Sequence, residues 1–529
     1  MDSMRKSIYY QLFVPSFYDS DGDGIGDIHG IYEKLPYLVG LGVTDVVLNA
    51  LLETSNLDSL YATTDFMRSD TRFGTIDELL YLIDSFHEAG IRVALSLPIK
   101  AVSVYHPWFI NATSATIHGD YNLFKEYFIW QVGRGSSGRR APKLTSNLPV
   151  NSKYVYQEKV KEWYLATSDG YPLLNTENPR VRREIIDILT FWREKNVDAF
   201  FLEGLHMSVR NSEQDVDIPV YKLSEDIFEV GRGNYKLLRD ILEKNDGNDH
   251  KDVCLFDAEI NPTTASYLLG DTRLADHIGN DVVITENRAE NKGIFRISVF
   301  LEKCKKKYSI SGISRYFSYF EDAYHERLLQ HILNKDTIHH DVAAKSLCVL
   351  ILTAPGIPCL YQGQEIGMFD KKNKKTMERN LPMQWDNHVS AGFTMSLYPW
   401  KIIHDNYSKI NVFAQVHDAD SVLNCFKKMI LFRNEHLALT EGTFVPLVSK
   451  SKEVLAFMRE TSEEKLFVVC SFSEKELNYK LPEEIVAQKA FCIFSNYNIV
   501  SASPHRTIGL RPFETRIYTT VISDRKLLN

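Results

Sequence analysis

Over its first hundred residues the chain repeats one pattern: a short apolar run, a helical stretch, then another apolar run. Tyr9 to Val14, aromatic and β-branched, reads as a first strand that ends in an Asp/Gly-rich loop. Within Gly30 to Leu41, Leu35, Leu38 and Leu41 fall at helical spacing, and Val43 to Leu48 then reads as a buried strand. The helix after Gly74 is better marked. Thr75 and Glu78 form a capping-box pattern, Ile76, Leu79, Leu80 and Ile83 make an apolar face, and Gly90 ends it. The apolar strand Val93 to Leu97 follows. Strands separated by helices imply a parallel sheet with crossover connections.

From about Ala101 to Tyr171 the rhythm is lost in an aromatic and polar segment, which reads as an insertion after the third strand. The alternation resumes at Val181 to Glu194, whose Ile185, Ile186, Leu189 and Trp192 share a face, and at the strand Val197 to Leu202. Val253 to Phe256 and Leu347 to Cys359 fit later strands or helices. After roughly Ser396 the helical crossovers mostly disappear. Strand-like runs take over at Val454 to Met458, Leu466 to Phe472, Ala490 to Phe494 and Arg516 to Val521. The expected fold is an α/β (β/α)8 barrel over 1–100 and 172–395, with an inserted subdomain at 101–171 and a C-terminal antiparallel β-domain at 396–529.

The formal charge of -8 argues against a nucleic-acid partner, which demands a clustered basic surface. Arg134, Arg139, Arg140 and Lys143, set among glycines and serines, read as a solvated loop. Seven cysteines form neither CxxC pairs nor a dense framework, so buried free thiols are expected, with one or two disulfides in the C-terminal third left open. No window approaches the roughly 18 apolar residues of a membrane span, so no transmembrane segment is expected. Asn111-Ala-Thr113 and Asn406-Tyr-Ser408 match the glycosylation pattern, a weak pointer to a secretory history. The location is therefore read as extracellular or cell-surface-associated if the chain is a fragment of an anchored protein, and soluble otherwise.

Asp19-Ser-Asp-Gly-Asp-Gly-Ile-Gly-Asp27 places carboxylates at alternate positions apart from Ile25, with glycines that permit a tight turn. Such a loop suits an oxygen-coordinated cation such as Ca2+, although position twelve, Gly30, excludes an EF-hand. A hydrated Asp/Gly turn is the plainer alternative.

Tyr10-Gln-Leu-Phe-Val-Pro-Ser-Phe17, followed by this loop, resembles the opening of α-amylase-family maltases and related proteins. The likeness continues through Arg72-Phe-Gly-Thr75, His106-Pro-Trp-Phe109, Asn178-Pro179, Val197-Asp198, Ala354-Pro-Gly-Ile-Pro358, Gly363-Gln-Glu-Ile-Gly367 and Met383-Gln-Trp-Asp386. It implies a structural calcium ion held by Asp19, Asp21, Asp23, the Ile25 carbonyl and Asp27.

A retaining glycosidase uses two carboxylates about 5 to 5.5 Å apart, one a nucleophile and one an acid of raised pKa. The resemblance adds a third. It assigns the nucleophile to Glu203 in Val197-Asp-Ala-Phe-Phe-Leu-Glu203, the acid to Asp257 with Glu259 as a near alternative, and the third to Asp322 in Phe320-Glu-Asp322. Tyr61, Glu321 and His325 are the implied sugar contacts. The family pattern is altered, with Phe201 in place of an arginine, Glu203 of an aspartate, Glu321 of a histidine and Ala62 of an aspartate. Ser96, Lys100 and Ala101 stand where it has Asp, Asn and His. A Glu beside Asp322 is expected to raise one of their pKa values by like-charge repulsion if both are buried.

These replacements lead to the expectation of a catalytically inactive member, like the heavy-chain ectodomains of heteromeric amino acid transporters, acting as a protein partner of a membrane light chain. Two alternatives compete with it: a retaining α-glucosidase acting on short α-linked glucosides through Glu203, Asp257 and Asp322, and a non-catalytic sugar-binding module.

Overall fold

The computed structural model describes residues 6–519 apart from 60, 115–121, 145–151, 206–207, 211–216, 220–228, 245–251, 257–276, 282–315, 324, 334–336, 373–376, 448–450, 452, 488–489 and 498–505. The chain divides into two compact units, 1–46 with 280–529 and 47–279.

The barrel strands are β1 (Tyr9–Phe13), β2 (Asp45–Asn49), β3 (Arg92–Leu97), β4 (Ala199–Glu203), β5 (Asp252–Phe256), β6 (His277–Asp281), β7 (Tyr316–Tyr319) and β8 (Ile357–Tyr361). Their hydrogen-bonding order, β1-β8-β7-β6-β5-β4-β3-β2, is that of the expected (β/α)8 barrel. In the 47–279 unit β4 lies between two parallel neighbours, Ala94 to Leu97 pairing with Ala199 to Leu202 and Asp252 to Phe256 with Ala199 to Glu203. In the other unit β8 lies between β1 and β7, through Tyr9 to Gln11 with Cys359 to Tyr361 and Phe317 with Ile357. Every residue of β1, β2, β4 and β8 is buried. A strand covered on both faces reads as a continuous apolar run, which is why β2 and β4 were visible in the sequence.

Helix α1 (Ile76–Glu88) forms with its capping box complete, Thr75 accepting from the Glu78 N–H and Glu78 reaching back. Helix α2 (Pro179–Arg193) starts at the Asn178 cap and buries Ile185, Ile186, Leu189 and Trp192. The stretch expected to be helical over Gly30 to Leu41 is instead two helices, Ile28–Glu33 and Leu35–Leu41, separated at Lys34. Pro36, in the first turn of the second, has no N–H with which to continue the first. The apolar run Leu347 to Cys359 separates into the end of helix α3 (His340–Thr353) and β8. Periodicity could not divide it because α3 is buried nearly all round.

Residues 101–171 contain a three-stranded antiparallel sheet, Trp130–Gln131, Glu162–Thr167 and Ser152–Gln157 in that order. The stretch after Ser396 is less purely β than expected, because helix α4 (Val422–Glu435) precedes its sheet. Five antiparallel strands then follow in the order Thr443–Leu447, Val454–Glu460, Lys465–Ser471, Thr515–Thr519 and Phe491–Ser495. Their inner face packs Val454, Phe467, Val469 and Tyr518 into one core with Leu481, Ile485 and Leu510. Six cysteines are buried and unbridged, and Cys304 lies outside the described residues. Among the described residues no helix is long and apolar enough to cross a membrane.

Candidate active site

Glu203 is the last residue of β4, at the carboxyl end where (β/α)8 barrels carry their reacting groups. It is 1% exposed. Along a strand, side chains two apart share a face, so Phe201 and Glu203 point the same way. Ser96 of β3 pairs with Phe201 across the ladder and stands on that same face. Its hydroxyl donates a hydrogen bond to Glu203 Oε1.

Gly204 follows at φ 71°, a left-handed conformation that a glycine adopts at little cost. A Cβ here would stand 2.2 Å from Tyr61 Oη and 3.1 Å from Lys100 Cδ, so the missing side chain is what lets both residues approach the end of β4. The Lys100 ammonium lies 5.8 Å from the centre of the Tyr61 ring. Tyr61, Ser96 and Lys100 are thus brought to the backbone at Glu203 and Gly204. Asp257 and Glu259 lie outside the described residues; the residue before Asp257, Phe256, pairs with Glu203.

In the other unit Asp322 follows β7 with its side chain fully buried. His325 donates its backbone N–H to Asp322 Oδ1 at 2.8 Å, and its Nδ1 lies 2.9 Å from both carboxylate oxygens. Glu321 is engaged differently. Its Oε2 accepts from Arg327 at 2.9 Å and its Oε1 from the Leu328 N–H at 3.2 Å. Burial pushes its carboxyl up to about 7 against the pull of Arg327, and Asp370, rather than the adjacent Asp322, is the acid that adds to the rise. Arg327 and Asp370 belong to no motif in the sequence, and Arg327 sits in a polar stretch, after His325 and Glu326, where nothing local marks it. His106, in the His-Pro-Trp-Phe motif, is a packing residue. Burial lowers its pKa to about 4, and its ring sits 4.5 Å from that of Trp108.

The Asp/Gly loop brings ligand atoms of Asp19, Asp21 and Asp27 within 4.8 Å of one another, a donor set of hard oxygens suited to calcium. Asp23 stands outside that group, its Oδ1 accepting the Ile25 N–H at 2.7 Å. The loop is also braced internally. Asp19 accepts from the N–H groups of Gly22 and Gly24, each at 2.7 Å, and Asp27 caps the helix at Ile28 through the Gly30 N–H at 2.6 Å. Burial raises the Asp27 pKa although Ser20 and Gly30 donate to it.

Residues 11–442 match the family described as "Alpha amylase, catalytic domain", and 454–517 match "Alpha-amylase SusG C-terminal domain". An oligo-1,6-glucosidase of Parageobacillus thermoglucosidasius is 27% identical, over 97% of this chain and 98% of the relative. An α-glucosidase of Schizosaccharomyces pombe is 24% identical over 96% of each chain. An isomaltulose synthase structure from Klebsiella sp. LX3 shares the fold with a TM-score of 0.83 at 22% identity, covering 98% of this chain and 99% of that one. These end-to-end matches to glucosidases overturn the expectation of an inactive transporter partner. That expectation counted Ser96 only as a lost sugar contact, whereas its hydroxyl is a donor to Glu203. By the match over most of its length, the chain belongs to the α-amylase family.

Proposed function

We propose that the protein is a retaining α-glucosidase acting on short α-linked glucosides, with Glu203 as nucleophile, Asp257 as general acid and base, and Asp322 as the carboxylate that steadies the distorted sugar. The observation that carries this reading is Glu203 itself, a buried carboxylate at the carboxyl end of a barrel strand with a hydroxyl donor on one oxygen. In the first step a Glu203 oxygen attacks the anomeric carbon, the glycosidic C–O bond breaks, and Asp257 gives its proton to the leaving oxygen. In the second, Asp257 takes a proton from water, whose oxygen replaces Glu203 at that carbon. Tyr61 offers a ring for the sugar's apolar face. The relatives named as oligo-1,6-glucosidase and α-glucosidase support the same chemistry.

Asp19, Asp21 and Asp27, with Asp23 and the Ile25 carbonyl as further ligands, would hold a calcium ion that ties the loop after β1 together. The test of the catalytic reading is hydrolysis of p-nitrophenyl α-glucoside, maltose and isomaltose by purified protein beside a Glu203→Gln variant. Turnover that the variant loses by about a thousandfold or more is expected. No turnover by folded protein, or equal turnover by the variant, would overturn it.

A further inference from the structure

The wall around Glu203 has a feature that a buried carboxylate depends on. Taking a charged carboxylate out of water is costly unless donors replace the lost hydration. Three side chains on the barrel-facing surface of β3 and β4 bear on this: Ser96, Phe201 and Glu203. Phe201 is fully buried and has no hydrogen-bond donor on its side chain. Ser96, 5% exposed, does, and it donates to Glu203 Oε1. Both ends of this bond sit on adjacent, fully paired strands, with Ala94 to Leu97 in register with Ala199 to Leu202, so its geometry is set by the sheet and not by a loop.

We infer that Ser96 is a positioning residue for Glu203: its hydroxyl ties Oε1 to the wall of β3 and favours the ionised nucleophile. The inference rests on the glucosidase reading for its catalytic consequence, but not for the hydrogen bond itself. A donor held against an anion favours the charged form, and the Ser96 hydroxyl is such a donor on Oε1. The β-hydroxyl of threonine can make the same bond, and alanine cannot.

The experiment compares wild type with Ser96→Ala, Ser96→Thr and Glu203→Gln, using p-nitrophenyl α-glucoside across pH. Ser96→Ala is expected to lower kcat by about ten- to a hundredfold with KM little changed, as suits the loss of a hydrogen bond to a charged group and a small misplacement of the attacking oxygen. The acidic limb of its pH profile moves to higher pH, because the nucleophile protonates more readily. Ser96→Thr restores most of kcat and returns the limb. An unchanged kcat and pH profile in Ser96→Ala would overturn the role of Ser96 while leaving the glucosidase reading intact. If wild type shows no turnover, that reading fails, and the inference is decided by infrared titration of the carboxylate band that Glu203→Gln removes. A titration midpoint that rises in Ser96→Ala and recovers in Ser96→Thr supports it, and an unmoved midpoint refutes it.

Discussion

Arg327 and Glu321 form a buried ion pair, Nη1 to Oε2 at 2.9 Å with side chains 2% and 3% exposed, and Asp370 Oδ1 stands 3.7 Å from the Nε of the same guanidinium. One cation faces two acids with no water to screen them, so the intact pair contributes less stability than the removal of one half would cost. Glu321→Ala leaves Arg327 with Asp370 alone and is expected to cost about 3 kcal/mol in urea unfolding. A loss under about 1 kcal/mol would mean that Asp370 suffices.

The same carboxyl gives the protein a pH signature. Its pKa rises from 4.5 to about 7 on folding, with burial as the main cause. Between those values the folded state binds more protons than the unfolded one, so this group's contribution is full below about 4.5 and is lost as pH climbs toward 7. Glu321→Gln, which cannot titrate, is expected to flatten the fall in stability over that window. A wild-type and variant pair with parallel stability curves from pH 4.5 to 7 would contradict it.

Calcium should act on stability rather than on the chemical step. Asp19 and Asp27 are bound up with backbone donors, whereas Asp21 accepts only the exposed Asp23 N–H at 3.0 Å among the bonds seen. Calcium at about a hundred times its Kd is expected to add about 2.7 kcal/mol. Asp21→Asn is expected to leave the Tm in EDTA unchanged and to abolish most of the calcium response. A Tm indifferent to calcium in wild type would favour the hydrated turn.

Arg433 fastens α4 to the end of α3. Its two terminal nitrogens donate to the carbonyls of Leu352 and Gly356 at 2.8 and 2.7 Å. Burial, and then the nearby Arg459, pushes its pKa down to about 9. Arg433→Met strands two buried carbonyls and is expected to cost about 2 to 4 kcal/mol. Arg433→Lys recovers only part of this, since one ammonium lacks the planar fork that spans both acceptors. Calorimetry on the two variants separates these outcomes, and equal stability of the lysine variant and wild type would show that charge alone suffices.

The elements legible in the sequence are those whose signals are local. Thr75 and Glu78 announce α1 because the capping box is closed within four residues. The strands β2 and β4 show as apolar runs because both faces are covered, whereas β6, His-Ile-Gly-Asn-Asp, carries no such run. The Asp/Gly loop is likewise legible as a turn rich in carboxylates. The donor to Glu203 was not legible: Ser96 lies 107 residues away and meets it only through the register of β3 on β4. Taken position by position, Ser96 looked like a loss, and only the ladder reveals what it touches. Glu321 misled in the opposite sense. Adjacent to Asp322 in sequence, it is governed by burial and by Arg327, six residues on, with Asp370 the acid that acts on it.

Gly204 offers the sharpest test of how the site is held. Its φ of 71° already disfavours a side chain, and an added Cβ meets Tyr61 Oη at 2.2 Å and Lys100 Cδ at 3.1 Å. The backbone strain alone is on the order of 1 to 2 kcal/mol. The lysine stem is flexible and can move aside, but the tyrosine ring must shift as a whole. Gly204→Ala is therefore expected to lower Tm modestly while displacing Tyr61 and disturbing Glu203 next door. On the glucosidase reading, kcat/KM falls by roughly a hundredfold, the scale of a misplacement of about 1 Å. Tyr61→Phe removes the clashing hydroxyl, so the double variant should recover activity relative to Gly204→Ala alone. If the double variant is as impaired as Gly204→Ala, the damage comes from the backbone at the end of β4 and not from the tyrosine.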